Sequence, residues 1–228
     1  MKLFGLEIGS KKFAFILLFS ALSLLFYQFN FSEIVGSEPK AYFTLFQFIG
    51  PIGGGIIGPL GGALSVLLVE VTNFFLTGKV LDPITVVRFF PMLFAALYFG
   101  SKRKDSAFIA LACLALFWLH PIGNTVWFYA LYWVIPLAAA FYKHNLFARS
   151  LGATFTAHSV GSVAFLYAFN LPAEVWIGLI PIVAIERFAF ATGISVCYYA
   201  VNTVLGAFSS KVDFSFLNIE KKYALWRA

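Results

Sequence analysis

The chain has 228 residues, of which 61% are hydrophobic and 11% charged. A soluble domain carries about 25% charged residues, so with a mean hydropathy of +0.88 the composition speaks for an integral membrane protein, a single domain over 1–228. The net charge of +6 does not point to nucleic acid, because Lys and Arg fall in short loops and at the termini, the positive-inside pattern.

Residues 1–12 are short and basic, and 13–29 form the first apolar run. No small-x-small cleavage site follows at Tyr27–Asn30, which favours a retained helix over a cleaved signal peptide and a cytoplasmic N-terminus. Residues 30–40 are polar, with Glu33 and Glu38, and are expected outside. The stretch 42–77 is the organising one. Seven of the 18 Gly lie between Gly50 and Gly62, with Pro51 and Pro59 among them, inside long apolar runs. Pro disfavours one continuous helix, and Gly permits positive φ and close backbone approach. Two apolar helices meeting at a tight corner are therefore expected. In a bilayer such a break survives only where protein or a water-filled cavity covers the freed backbone groups, which places the corner inside the bundle.

Asp82-Pro83 reads as an N-cap and first helical residue of a span over 84–100. The basic run 101–105 marks the cytoplasmic side. Residues 107–119, a His-Pro turn at 120–124, and 125–142 follow, then cytoplasmic Lys143, His144 and Arg149. Residues 151–169 cross outward to 170–172. Residues 173–208 are too long for one plain span and contain Pro181, so a long, bent or broken helix is expected. The tail, with Lys211, Lys221, Lys222 and Arg227, returns to the cytoplasm. The expected class is an all-α polytopic protein of the cell membrane with both termini cytoplasmic. Either 42–77 is a re-entrant pair beside six spans, which is preferred, or it crosses twice and makes eight.

Ionisable side chains inside a span are expensive and mark a function or a partner. They are Glu70, Arg88, His158, Glu186 and Arg187. Glu70 and Asn73, with Thr77, share one helix face. Arg88 is the nearest partner in sequence for Glu70, with Arg187 as the alternative. Such a pair either fixes two helices or offers one donor and one acceptor to a zwitterion. Thr154, His158 and Ser162 form a second polar stripe. Trp127 belongs to an aromatic set with Trp118, Tyr129, Tyr132, Trp133 and Trp176, read as an interfacial belt or as a stacking wall for a flat ligand. His120, His144 and His158 lie at different depths, and Cys113 and Cys197 sit in apolar runs, so neither a metal, a cofactor nor a disulfide is expected. There is no HExxH, GxSxG or P-loop, and an enzyme is not expected.

The run IGPIGGGIIGPLGGALSVLLVE, a loop, and then RFFPMLFAALYFG resemble the substrate-binding membrane subunit, the S component, of energy-coupling factor transporters. Gly58-Pro59, Gly61-Gly62 and Glu70 stand where that family carries a Gly-Pro corner, a small-residue helix start and an acidic or amide residue. The likeness covers about residues 42–100. It implies capture of a vitamin or other small metabolite, working with a transmembrane coupling subunit and ATPase subunits. The family's AxxxA-type pattern on the first helix is not matched, since Ala14 is followed at four by Leu18 and Ala21 by Leu25. The other class of function is a structural or accessory membrane subunit with no ligand of its own.

Overall fold

The computed structural model describes residues 2–3, 6–7, 9–34, 42–78 and 80–225. Glu38, Lys40 and Arg227 lie outside them. The fold is mostly helical. A first helix, α1 (Ser10–Tyr27), is followed by β3 (Asn30–Glu33) and β4 (Tyr42–Thr44), after the short N-terminal pair β1 (Lys2–Leu3) and β2 (Leu6–Glu7). Then come α2 (Phe46–Ile49), α3 (Ile52–Ile57) and α4 (Pro59–Leu76), and α5 (Pro83–Arg88) with α6 (Phe90–Gly100). The second half holds α7 (Phe108–Leu119), α8 (Pro121–Thr125), a 3-10 run over Trp127–Trp133 and α9 (Val134–Ala139). It ends with α10 (Leu146–Phe169), α11 (Ala173–Phe208) and a tail reaching 225. By length and composition α1, α4 and α11 could each cross a membrane. Residues 46–57, 85–100 and 127–139 are shorter apolar helical stretches.

The two antiparallel strand pairs, β1–β2 and β3–β4, are the departure from an all-α architecture. Of the second pair, β3 lies on a segment read from sequence as a polar loop, and β4 on the first residues of the stretch 42–77 read as a helix pair. The pair's signal was the alternation Asn-Phe-Ser-Glu opposite Tyr-Phe-Thr, in which aromatic and β-branched residues favour a strand.

The Gly-rich corner forms as its residues require. Gly58 adopts φ +97°, a conformation open to Gly and costly for other residues, and Pro59 starts α4. Gly54, Gly62 and Gly100 bring α3, α4 and α6 into backbone contact. A Cβ on Gly54 would overlap the Ala96 carbonyl oxygen, and one on Gly62 or Gly100 would overlap the Gly54 backbone. Every residue from Pro51 to Ile57 is buried, so the corner is interior, as expected. The pair runs the length of α1. Leu45 N–H donates to the Phe29 carbonyl at one end, and Gly58 lies beside Lys12 at the other. α1 packs on α4 through Ile16, Phe19, Ser20 and Ser23, with the Ser20 and Ser65 hydroxyls 2.9 Å apart.

The basic segments share that second end. Lys143 Nζ donates to the carbonyls of Tyr98 and Ser101 and to the Ser106 hydroxyl, tying 98–106 to 143. The tail crosses beneath them: Lys11 pairs with Asp213 at 2.8 Å, Asn218 N–H donates to the Ile56 carbonyl, and the Tyr223 hydroxyl donates to the His144 carbonyl. Arg149, taken from sequence as a loop cation, is instead in the first turn of α10, which begins at Leu146 under an Asn145 side-chain cap. α11 runs unbroken through Pro181 for 36 residues.

Candidate ligand-binding site

Glu186 and Arg187 lie in the middle of α11, under the β3–β4 hairpin. Arg187 is 3% exposed, and its Nη2 donates to Glu186 Oε2 at 3.2 Å. The hairpin reaches down to both. The Ser32 hydroxyl donates to Glu186 Oε1 at 2.8 Å, and the guanidinium carbon lies 4.7 Å from the Phe43 ring centroid and 4.4 Å from that of Phe190. Arg187 Nε is buried with no hydrogen-bond partner, and so are Nε and Nη2 of Arg149. A buried donor left without a partner costs about 1–3 kcal/mol. Phe31 and Phe48 close round Phe190 and complete an aromatic wall.

The pairing is unusual for a structural ion pair. Adjacent residues on a helix do not face each other across its surface, and a contact between neighbours ties no second helix. What Arg187 gains from Glu186 is charge compensation and one hydrogen bond within the same helix.

His158 of α10 centres a buried cluster of its own. The Trp133 indole N–H donates to His158 Nδ1 at 3.1 Å. An indole nitrogen is only a donor, so Nδ1 accepts and the neutral ring carries its proton on Nε2. That N–H faces the Tyr129 hydroxyl at 2.9 Å and the Ser162 hydroxyl at 3.2 Å. Both ring nitrogens are therefore satisfied from inside the chain. Tyr129, Trp133 and Trp176 are fully buried around Phe117, which corrects the belt expectation for these three. Trp118 and Trp127 remain on the surface. Trp127 is 51% exposed, packs on Phe128 and takes no part in the His158 cluster.

The remaining expected residues sit elsewhere. Glu70 and Asn73 are both buried on α4, and the Tyr27 hydroxyl of α1 donates to Glu70 Oε2 at 3.2 Å. Glu70 forms no ion pair with Arg88 or Arg187. Arg88 instead stands over the Phe165 ring at 5.6 Å, about two turns along α10 from His158. The structure thus joins Glu186 with Arg187, gives His158 its own partners on α10 and in 127–133, and leaves Glu70, Asn73, Arg88 and Trp127 apart from the pair.

Sequence reading missed Ser32 and Phe43 as neighbours of the Glu186–Arg187 pair, and only the placement of the hairpin over α11 brings them there. It passed over Phe190 too, which the i,i+3 spacing on α11 does announce. It also missed the second buried guanidinium, Arg149. That group pairs with Glu220 Oε1 at 2.8 Å and is boxed by Phe99 and Tyr198, with ring centroids at 4.3 and 4.6 Å. Tyr198 donates to the same carboxylate oxygen, and Asn202 Oδ1 accepts from the Glu220 backbone N–H. Burial alone would raise the Glu220 carboxyl, but the bonds from Arg149 and Tyr198 overcome it and hold it below the usual range. Among the described residues no group of three or more His, Cys, Asp or Glu could hold a metal.

The chain is similar to an uncharacterized protein of Methanocaldococcus jannaschii, 26% identical over 231 residues, which cover 91% of this chain and 73% of that protein. No family model matches, and no solved structure matches.

Proposed function

We propose that this chain is a multi-pass membrane protein that captures a small metabolite at Arg187, beneath the β3–β4 hairpin, on the side away from its basic loops. The observation that carries the proposal is the buried Arg187, whose ion pair is with its own neighbour Glu186 and so ties no second helix. An open donor beside a carboxylate, walled by Phe43 and Phe190, suits a zwitterion: Arg187 would take its carboxylate and Glu186 its ammonium. The hairpin, which supplies both Ser32 and Phe43, would act as the cover over bound ligand. The reaction is binding, not catalysis.

The positive-inside rule supports cytoplasmic placement of the end that gathers Lys11, Lys102, Arg103, Lys104 and Lys143. The corner at Gly58 reaches that same end, beside Lys12, which favours eight crossings over a re-entrant pair and six. The likeness to S components supports uptake with a coupling subunit and ATPase subunits. α1 leaves Ala14, Leu18, Ala21 and Leu25 exposed along one face, open to lipid or to such a subunit.

The test is the purified full chain in detergent. Mass spectrometry of co-purified small molecules, and a thermal-shift screen with free amino acids and carboxylate vitamins, should find a stabilising zwitterion. A chain that carries nothing and responds to nothing would favour the second reading, a structural subunit of a membrane complex. That reading draws on the internal satisfaction of His158 and on the Tyr27 bond to Glu70.

A further inference from the structure

A groove opens on the flank of the bundle where α5, the start of α6, the end of α7 and the last turns of α10 meet. Its space is about 390 Å³. Val87, Pro91, Leu116, Ala164 and Phe165 make apolar walls, and the Tyr167 hydroxyl in the lining is already used on the Leu116 carbonyl. Arg88 is the one charged residue of the lining. Its side chain is exposed, and among the described residues no carboxylate pairs with it. The Phe165 ring beneath the guanidinium holds it at the rim.

The floor carries a second observation. Gly161 lies in α10, where Gly is costly by about 1 kcal/mol against Ala. Gly152 of the same helix has a packing reason, because a Cβ there would overlap the Tyr98 phenol. Gly161 has none: a Cβ would meet only Pro91, at 3.9 Å. Its lack of a side chain keeps the groove open without admitting any other part of this chain.

We propose that the groove is a phospholipid site, with an acyl chain lying over Gly161 and Pro91 and the phosphodiester on Arg88. The apolar walls match hydrocarbon, and a planar guanidinium on a flank facing lipid matches a phosphate in charge and in paired donor geometry. An Arg near the end of an apolar helix places its head at headgroup level. The inference rests on the membrane reading above and is independent of the ligand site at Arg187.

Delipidated full chain in detergent, titrated with dioleoyl-phosphatidylglycerol and read by native mass spectrometry, should hold one lipid. Arg88→Gln should weaken that binding roughly tenfold, the order of one lost charge-assisted contact. Gly161→Phe should abolish it while Arg88 is still present. Arg88 is exposed, so Arg88→Gln keeps the test open should the bulkier variant misfold. Equal retention by all three proteins would overturn the proposal. So would equal binding of dioleoylglycerol, which lacks the phosphate, or full competition by inorganic phosphate alone. A chain that stays in solution without detergent or lipid would instead overturn the membrane reading.

Discussion

The two buried arginines, Arg149 and Arg187, have similar burial and similar aromatic company but different partners. Arg149 reaches a carboxylate 71 residues away, and that carboxylate also takes Tyr198 and hangs from Asn202 through its own backbone. Each bond joins the tail to the bundle, so the network is a lock. Arg187 itself reaches only the residue before it and two Phe rings, although the Glu186 carboxylate also takes Ser32 of the hairpin. Both guanidinium groups keep unfilled buried donors, Nε on Arg187 and Nε and Nη2 on Arg149. A buried ion pair is weak evidence of stabilisation by itself, because desolvation offsets much of the attraction. What separates the two sites is whether the pair joins distant parts of the chain. By that criterion the Arg149 pair is structural, and the Arg187 pair is the one that fits the ligand role proposed above.

The largest effect is expected from Arg149→Met. It strands Glu220 and should cost about 3 kcal/mol, the low end for breaking a buried pair, since Glu220 is still 22% exposed. A lowered melting temperature and rapid tryptic cleavage at Lys211, Lys221 and Lys222 would show the tail released. The matching change at the other site removes both charges, Glu186→Gln with Arg187→Met. It should shift ligand-free melting by less than about 1 kcal/mol, because a buried pair replaced as a whole is close to neutral, yet abolish the response to the stabilising zwitterion. If this double variant melts well below the wild type with no ligand present, the 186–187 pair is structural and the ligand assignment fails.

Acid separates the sites without mutation. The Glu220 carboxyl is held below its usual range, so the unfolded chain binds its proton first as pH falls. The stability it contributes is complete above about pH 5 and is lost as pH falls through the depressed folded value. Tail protection from protease should fall in that acid window, and Glu220→Gln, weak at all pH values, should flatten the profile. A wild-type tail equally protected on both sides of the window would remove the lock. The smallest effect belongs to Tyr27→Phe, which deletes one bond to Glu70 and should lower melting by about 1 kcal/mol with no change in zwitterion response. A weakened response would bring Glu70 back into the binding site.

The corner was legible because its determinants are local. Positive φ at Gly58, Pro at the first turn of α4 and the cap at Asp82 are all properties of a few adjacent residues. The polar residues within apolar runs were likewise visible as anomalies, and Glu70, Asn73, His158 and Arg187 are indeed buried. Which of them meet was not legible. Glu70 met Tyr27 rather than Arg88, because helix faces and register, set by side-chain packing across the bundle, decide partners. His158 was visible only as part of a polar stripe, open to a core or a ligand role, and Trp133, Tyr129 and Ser162 fill both its nitrogens.

Composition, charge placement and Gly-Pro spacing by themselves determined a chain of apolar helices with an interior corner and basic loops, since each follows from local conformational preference or from transfer out of water. The tertiary structure alone decided that a hairpin lies over α11, that the tail locks onto Arg149, and that Arg187 keeps an open donor. Those are contacts between residues tens to hundreds of positions apart, such as Ser32 with Glu186 and Lys11 with Asp213. Their pairing depends on how whole helices pack, which no short stretch of sequence encodes.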